Sequence, residues 1–105
     1  MLNNIYFNEM SNSNSELTDN DLNLLATKFK VLSEISRLRI VRTLIEGEKC
    51  VTDIIISTNL MQANVSKQLK ILQGAGILEC KAKGLQRFYY ISDFNIVEIC
   101  HILCK

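Results

Sequence analysis

The stretch Leu60–Ser92 reads LMQANVSKQLKILQGAGILECKAKGLQRFYYIS, and it decides the fold. In its first half Met61, Val65, Leu69 and Leu72 fall at i, i+4, i+8 and i+11, which is one buried stripe of a helix running from about Gln62 to Gly74. At about 100° per residue, Ala63, Ser66, Lys67 and Lys70 point the other way. Gly74 and Gly76 stop the helix. The period then switches to two. Leu78, Cys80 and Ala82 alternate with Glu79, Lys81 and Lys83. Gly84 and Leu85 make a turn, and Arg87–Ile91 is rich in aromatic and β-branched residues. A helix followed by a two-stranded hairpin is expected.

Upstream, a short helix is expected over Val51–Thr58. Before it lies a longer helix that begins after Ser33 or Glu34 and ends at Gly47. Its broad apolar face carries Ile35, Leu38, Val41, Leu44 and Ile45, with Ile40 at the edge. Thr18 or Asp19 can cap a first helix to about Leu32, with Leu22, Leu25, Ala26, Phe29 and Leu32 on one stripe. Downstream, Asp93 can cap a last helix that runs to the C-terminus. Residues 1–16 include NEMSNSNSE, which is polar and aperiodic, so they read as a flexible tail with a turn of helix near Ile5–Phe7. Residues 17–105 then form one domain.

The chain has 105 residues, 48% of them hydrophobic and 22% charged, a globular profile. No segment approaches the roughly 20 consecutive apolar residues of a membrane span. The start, MLNNIYFNEM, has no basic region ahead of a long apolar run, so no secretory signal and no membrane partner are expected and the cytoplasm is the expected location. There, four cysteines serve as reduced thiols, metal ligands or redox sensors more readily than as a disulfide framework.

Net charge is only +1, but it is unevenly spread. Residues 1–25 hold four acids (Glu9, Glu16, Asp19 and Asp21) and no Lys or Arg. Residues 54–92 hold Lys67, Lys70, Lys81, Lys83 and Arg87 against the single acid Glu79. A local basic surface of this kind suits an anionic partner, and a solvated face is the alternative.

The order helix, helix, short helix, helix, hairpin, helix describes a winged helix-turn-helix: mainly α, with a small β-hairpin wing. The fourth helix is narrow enough for a major groove of duplex DNA. Its outward face is small and polar, so its backbone can approach closely. Gln62, Asn64 and Gln68 lie nearer the flanks, where amides reach base edges or phosphates. Ser66, Lys67 and Lys70 are placed for phosphates, and Lys83 and Arg87 sit on the wing beside them. No acid lies between Asp53 and Glu79 to repel DNA. An enzyme is not expected, since one histidine, no Gly-rich phosphate loop, no helix-opening CxxC and no paired carboxylates assemble no catalytic site.

KVLSEISRLRIVRTLIEGEKCVTDI, followed by the quoted stretch, resembles the ArsR/SmtB family of winged-helix repressors over about residues 22–104. The most specific parts are Leu32–Leu44, QANVSKQLKIL with AGIL after it, and RFYYIS. The resemblance implies a homodimer with the first and last helices packed between subunits, binding to an imperfect promoter palindrome, and release by an inducer. By position, Gln62, Ala63, Asn64, Ser66, Lys67 and Gln68 match the recognition segment, and Lys83 to Arg87 match the wing tip. One departure stands at the helix start, where Met61 replaces the usual capping serine. Losing a cap costs about 0.5–2 kcal/mol, which Thr58 or Asn59 would have to offset.

Family members sense metals, metalloids or reactive sulfur, at sites that differ between members. The Cys-Val-Cys site that opens the third helix becomes Cys50, Val51, Thr52 here. The second-helix cysteine of persulfide sensors is absent from LRIVRTL. The last-helix Asp and His of zinc sensors are matched only by Asp93 and His101, at a different spacing. The last helix, ending EICHILCK, is therefore read on its own terms. With Cys100 at zero on a helical wheel, Cys104 sits at about 40° and His101 at about 100°. Helical i,i+4 neighbours hold Cβ atoms about 5–6 Å apart, whereas a disulfide wants about 3.5–4.5 Å. Shared ligation of a soft metal or metalloid (As(III), Cd, Zn, Cu(I)), with a third ligand from His101, Cys50 or the other subunit, fits the pair better. No cofactor is required. A polysulfur bridge, which could span the gap, and plain interface packing of Cys100 and Cys104 are the alternatives, and Cys80, beside Leu78 and Ala82, is expected to pack.

Overall fold

The computed structural model describes residues 16–104. The expected tail, with its turn near Ile5–Phe7, falls outside them apart from Glu16. The elements in chain order are α1 (Asp19–Leu32), α2 (Ile35–Ile45), β1 (Lys49–Cys50), α3 (Val51–Thr58), α4 (Gln62–Gly74), β2 (Leu78–Lys83), β3 (Gln86–Ile91) and α5 (Phe94–Leu103).

Helix α1 starts on a reciprocal cap. Thr18 Oγ1 accepts from the Asp21 N–H at 3.1 Å, and the Thr18 N–H donates to Asp21 Oδ2 at 3.0 Å. That bond to the Thr18 N–H, followed by the bond to its side chain, lowers the Asp21 pKa. Of its apolar stripe only Leu32 is buried; Leu22, Leu25 and Phe29 remain exposed. In α2 the buried set is Ile40, Val41, Thr43 and Leu44. The expected face is therefore rotated. Ile40, expected at the edge, is fully buried, and Ile35 is 62% exposed.

The core joins Ile40, Val41 and Leu44 of α2 to Ile54 of α3, Val65, Leu69 and Leu72 of α4, Ile77 and Leu78 at the entry to the sheet, and Ile96 of α5. With Leu32 of α1, the described helices and the head of β2 thus share one apolar centre, and burial on this scale is the main term that holds them together. Between α3 and α4 the chain turns at Asn59, a left-handed cap with φ 59°. Asparagine tolerates that conformation, and the sharp stop lets α4 set off across α3.

The sheet is larger than the expected hairpin. It has three strands in the order β1-β3-β2, with β1 pairing through Lys49↔Tyr89 and Cys50↔Phe88. A two-residue strand shows no alternation, so periodicity could not reveal it. The wing itself pairs from Leu78↔Ile91 to Lys83↔Gln86. Alternation in this register puts Lys81, Lys83, Phe88 and Tyr90 on one face and Cys80, Arg87 and Tyr89 on the other.

Asp93 opens α5 by accepting from the Asn95 N–H, and its Oδ2 meets Lys28 Nζ of α1 at 2.5 Å. Lys28, then the Asn95 contact, holds the Asp93 carboxyl below its ordinary value of 3.8, against an opposing push from burial. Both side chains are partly buried, so this pair helps fix where α5 leaves the sheet relative to α1. Replacing Asp93 with alanine is expected to lower stability at pH 7 by about 1–2 kcal/mol. A depressed folded pKa gives stability that is present above the unfolded value and lost as pH falls through the folded one. The deficit should therefore shrink in denaturant titrations at pH 3; an equal deficit at both pH values would refute the ion pair's contribution.

Candidate nucleic-acid interface and thiol cleft

Helix α4 divides cleanly along its length. Val65, Leu69 and Leu72 are at most 2% exposed, and opposite them Gln62, Ala63, Ser66, Lys67 and Lys70 are exposed. The inward stripe seats the helix, and the seating forces the small, polar and basic set outward. Met61 caps nothing with its side chain. Thr58 Oγ1 instead donates to the Ile54 carbonyl at 2.7 Å and accepts weakly from the Leu60 N–H. Neither Thr58 nor Asn59 replaces the missing cap. The first N–H groups of α4 therefore open outward at the positive end of the helix dipole, next to the exposed residues.

Gln68 departs from its expected place. It is 6% exposed, and its Nε2 donates to Asn64 Oδ1 at 2.9 Å. It sits on the boundary of the buried stripe, one turn from Asn64, so its amide bonds along the helix rather than reaching outward.

On the wing, Lys83 is exposed but paired. Glu48, just before β1, meets Lys81 at 2.7 Å and also meets Lys83. Lys81 first, and then Lys83, holds the Glu48 carboxyl below its ordinary value. The same two ammonium groups lie over aromatic rings, Lys81 at 5.4 Å from Tyr90 and Lys83 at 4.9 Å from Phe88. Arg87 points from the opposite face, where its guanidinium donates to Cys80 Sγ at 3.3 Å. Gln73, near the end of α4, approaches the same sulfur at 3.8 Å. Cys80 is thus half-buried at the junction of α4 and the wing, in contact with polar groups.

The remaining thiols separate. Cys50 is buried in β1 and lines a cleft with Val51, Thr52, Gln86 and Arg87. Cys100 and Cys104 line a different cleft, about 320 Å³, with His101 and with Leu38, Val41, Arg42 and Ile45 of α2. Burial first, and then Cys104, pushes the Cys100 thiol up, while Cys104 is exposed. The expected ligand set of Cys100, Cys104, Cys50 and His101 is not assembled within the chain. Among the described residues, no three His, Cys, Asp or Glu side chains gather into a metal site. The physical reason is position: Cys50 belongs to the sheet, and His101 is an exposed side chain turned about 100° from Cys100. Within this cleft the two thiols of Cys100 and Cys104 lie with the His101 side chain, and among the described residues no third donor completes a metal site with them.

A helix-turn-helix whose second helix shows a basic outer face, followed by a β wing, defines a winged-helix DNA-binding regulator. Comparison makes the class specific. Residues 34–79 match the model of the arsR family of bacterial regulatory proteins. An uncharacterized HTH-type transcriptional regulator of Methanocaldococcus jannaschii is 39% identical over 72 residues, covering 68% of this chain and 81% of the relative. The cadmium resistance transcriptional regulatory protein CadC of Listeria innocua is 29% identical over 96 residues, 90% of this chain and 81% of its own. The crystal structure of the transcriptional repressor BigR from Xylella fastidiosa is 30% identical, with a TM-score of 0.74, covering 81% of this chain and 87% of that one. The chain belongs to the ArsR family of transcriptional regulators and is not an enzyme. No helix among the described residues is long and apolar enough to cross a membrane.

Proposed function

We propose that this protein is a repressor that binds a promoter palindrome as a homodimer and is released when Cys100 and Cys104 meet a soft metal, a metalloid or reactive sulfur. The observation that carries DNA binding is the outer face of α4. Ser66, Lys67 and Lys70 are exposed there, the helix start is uncapped, and no carboxylate lies between Asp53 and Glu79. Asn64, Ser66, Lys67 and Lys70 face the groove and its phosphates, with Gln62 and Ala63 leading in and Arg87 on the wing beside them. Lys83 shares its charge between Glu48 and DNA.

Exposed apolar residues on α1 and α5 support the homodimer. Leu22, Leu25, Phe29, Ile102 and Leu103 are all large and exposed, and surfaces of this kind mark interaction sites. A second copy covers them by symmetry and brings two α4 helices to two half-sites.

The α2/α5 cleft supports thiol sensing, because an inducer there lies against the dimerisation helix. Cadmium in the name of the Listeria relative supports a soft metal. Two thiols in one cleft suit sulfur chemistry at the pair, or a ligand set completed by His101 or across the dimer. Cys104, the exposed thiol, meets the inducer first.

The test is anisotropy of labelled DNA from upstream of the protein's own gene. Binding should weaken steeply as salt rises, and then reverse with Cd, As(III) or a persulfide donor. Cys100→Ser and Cys104→Ser should each need at least about tenfold more of the effective inducer, whereas Cys50→Ser should respond like the parent. Absence of salt-sensitive binding to any promoter fragment would sink the repressor. Parental responses from both α5 variants would leave a DNA-binding regulator without a thiol sensor.

A further inference from the structure

The wing strands carry Lys81, Lys83 and Arg87, and the fold already gives each of these cations a partner. The strand order β1-β3-β2 puts β2 and the lead into β1 on opposite sides of the central strand β3. Lys81 and Lys83 of β2 nevertheless both reach Glu48, just before β1. Each carboxylate oxygen takes one of them, Oε1 the Lys81 ammonium at 2.7 Å and Oε2 that of Lys83. To do so the two side chains cross β3, Lys81 over the Tyr90 ring and Lys83 over the Phe88 ring. Two ion pairs and two ring contacts thus draw both ammonium groups inward over the sheet, away from the outer edge of β2.

Two ammonium groups that bracket a two-oxygen anion are also what a DNA phosphate would meet. Lys81 and Lys83 are about half exposed, so a phosphate can reach them, but Glu48 stands in its place. One carboxylate against two ammonium groups leaves one net positive charge instead of two. The sequence-independent part of DNA affinity grows with the number of phosphates a protein neutralises.

We infer that Glu48 is a positioning residue that competes with DNA phosphate for Lys81 and Lys83, and so limits how tightly the wing holds any duplex. The inference rests on the DNA-binding function proposed above. It makes Glu48 act on the strength of binding and not on sequence preference, because phosphates carry no sequence.

The test is anisotropy of labelled duplexes with the full-length protein at several salt concentrations, using the gene's own upstream DNA and an unrelated duplex. Glu48→Gln keeps the shape of the side chain and removes its charge. Each wing should then gain about one phosphate contact, which steepens the slope of log affinity against log salt by roughly 0.9 per protomer. Near physiological salt that slope amounts to about a fivefold gain for each wing. The gain should be equal on both duplexes, and adding Lys81→Gln and Lys83→Gln should abolish it. Glu46→Gln is the control for net charge, since Glu46 pairs instead with Lys49, which also donates to the Thr43 carbonyl. That control should keep the parental slope. An unchanged slope in Glu48→Gln overturns the inference, as does an equal steepening in Glu46→Gln or a gain that survives the loss of both lysines. A Glu48→Gln protein that melts early and gains no slope assigns Glu48 a structural role and overturns it too. Where the parent binds DNA with salt dependence, such results remove only this inference. If the parent binds no DNA, the proposed function falls as well.

Discussion

Replacing both Lys67 and Lys70 with alanine is expected to weaken DNA binding by about 100-fold near physiological salt while leaving the melting temperature within a few degrees of the parent. Both ammonium groups are exposed on α4, and among the described residues neither forms an ion pair or a side-chain hydrogen bond. Nothing in the fold depends on them. A phosphate contact by each would release about one counterion, so the slope of log affinity against log salt should shrink by roughly 0.9 per lysine. The loss should be nearly equal for operator and unrelated DNA, because phosphates carry no sequence. Measurements at several salt concentrations separate this from misfolding. An unchanged slope in the double variant would mean that α4 does not face the backbone of DNA. Arg87 and Lys83 would not give so clear a result, since Cys80 holds one and Glu48 the other.

The last point marks where the sequence was legible and where it was not. The order and rough bounds of the helices were readable, α1 and α5 from the Thr18 and Asp93 caps and α4 from its apolar stripe, because these are local facts, whereas the buried face of α2 was not. The division of α4 into a seated face and a basic outer face was legible for the same reason. Glu48 was not. It lies outside the basic stretch in sequence, and only the pairing of β1 with β3 carries it beside Lys81 and Lys83. A count of charges along residues 54–92 therefore overstated the wing. Gln68 was misplaced because it sits at the edge of the buried stripe, about 40° from Leu72 and about 60° from Val65 on the helical wheel, where a small rotation decides between groove and core. Cys50 and Cys100 share a residue type but not a location, and composition alone could not separate the sheet from the last helix.

The other large effect is on stability, and it has the opposite signature. Leu72 is fully buried in the last turns of α4, in the cluster that joins that helix to Ile54 and to Ile77 and Leu78 at the head of the wing. Leu72→Ala removes three carbons from a site closed on all sides, so it loses both their burial and the contacts across the void. The expected destabilisation is about 2–5 kcal/mol. For a domain of this size that is a large share of the total, and it lowers the melting temperature by on the order of 10–25 °C. Protomer concentration must be held constant, because a dimer melts at a concentration-dependent temperature. Well below its melting point the variant should still bind DNA with the parental salt slope, since Lys67 and Lys70 keep their places on the outer face. Binding should then fail on warming before the parent's does. A variant that melts with the parent would show that α4 is not seated by this stripe. A variant that stays folded but loses binding at 5 °C would show that Leu72 lies on the reading face instead.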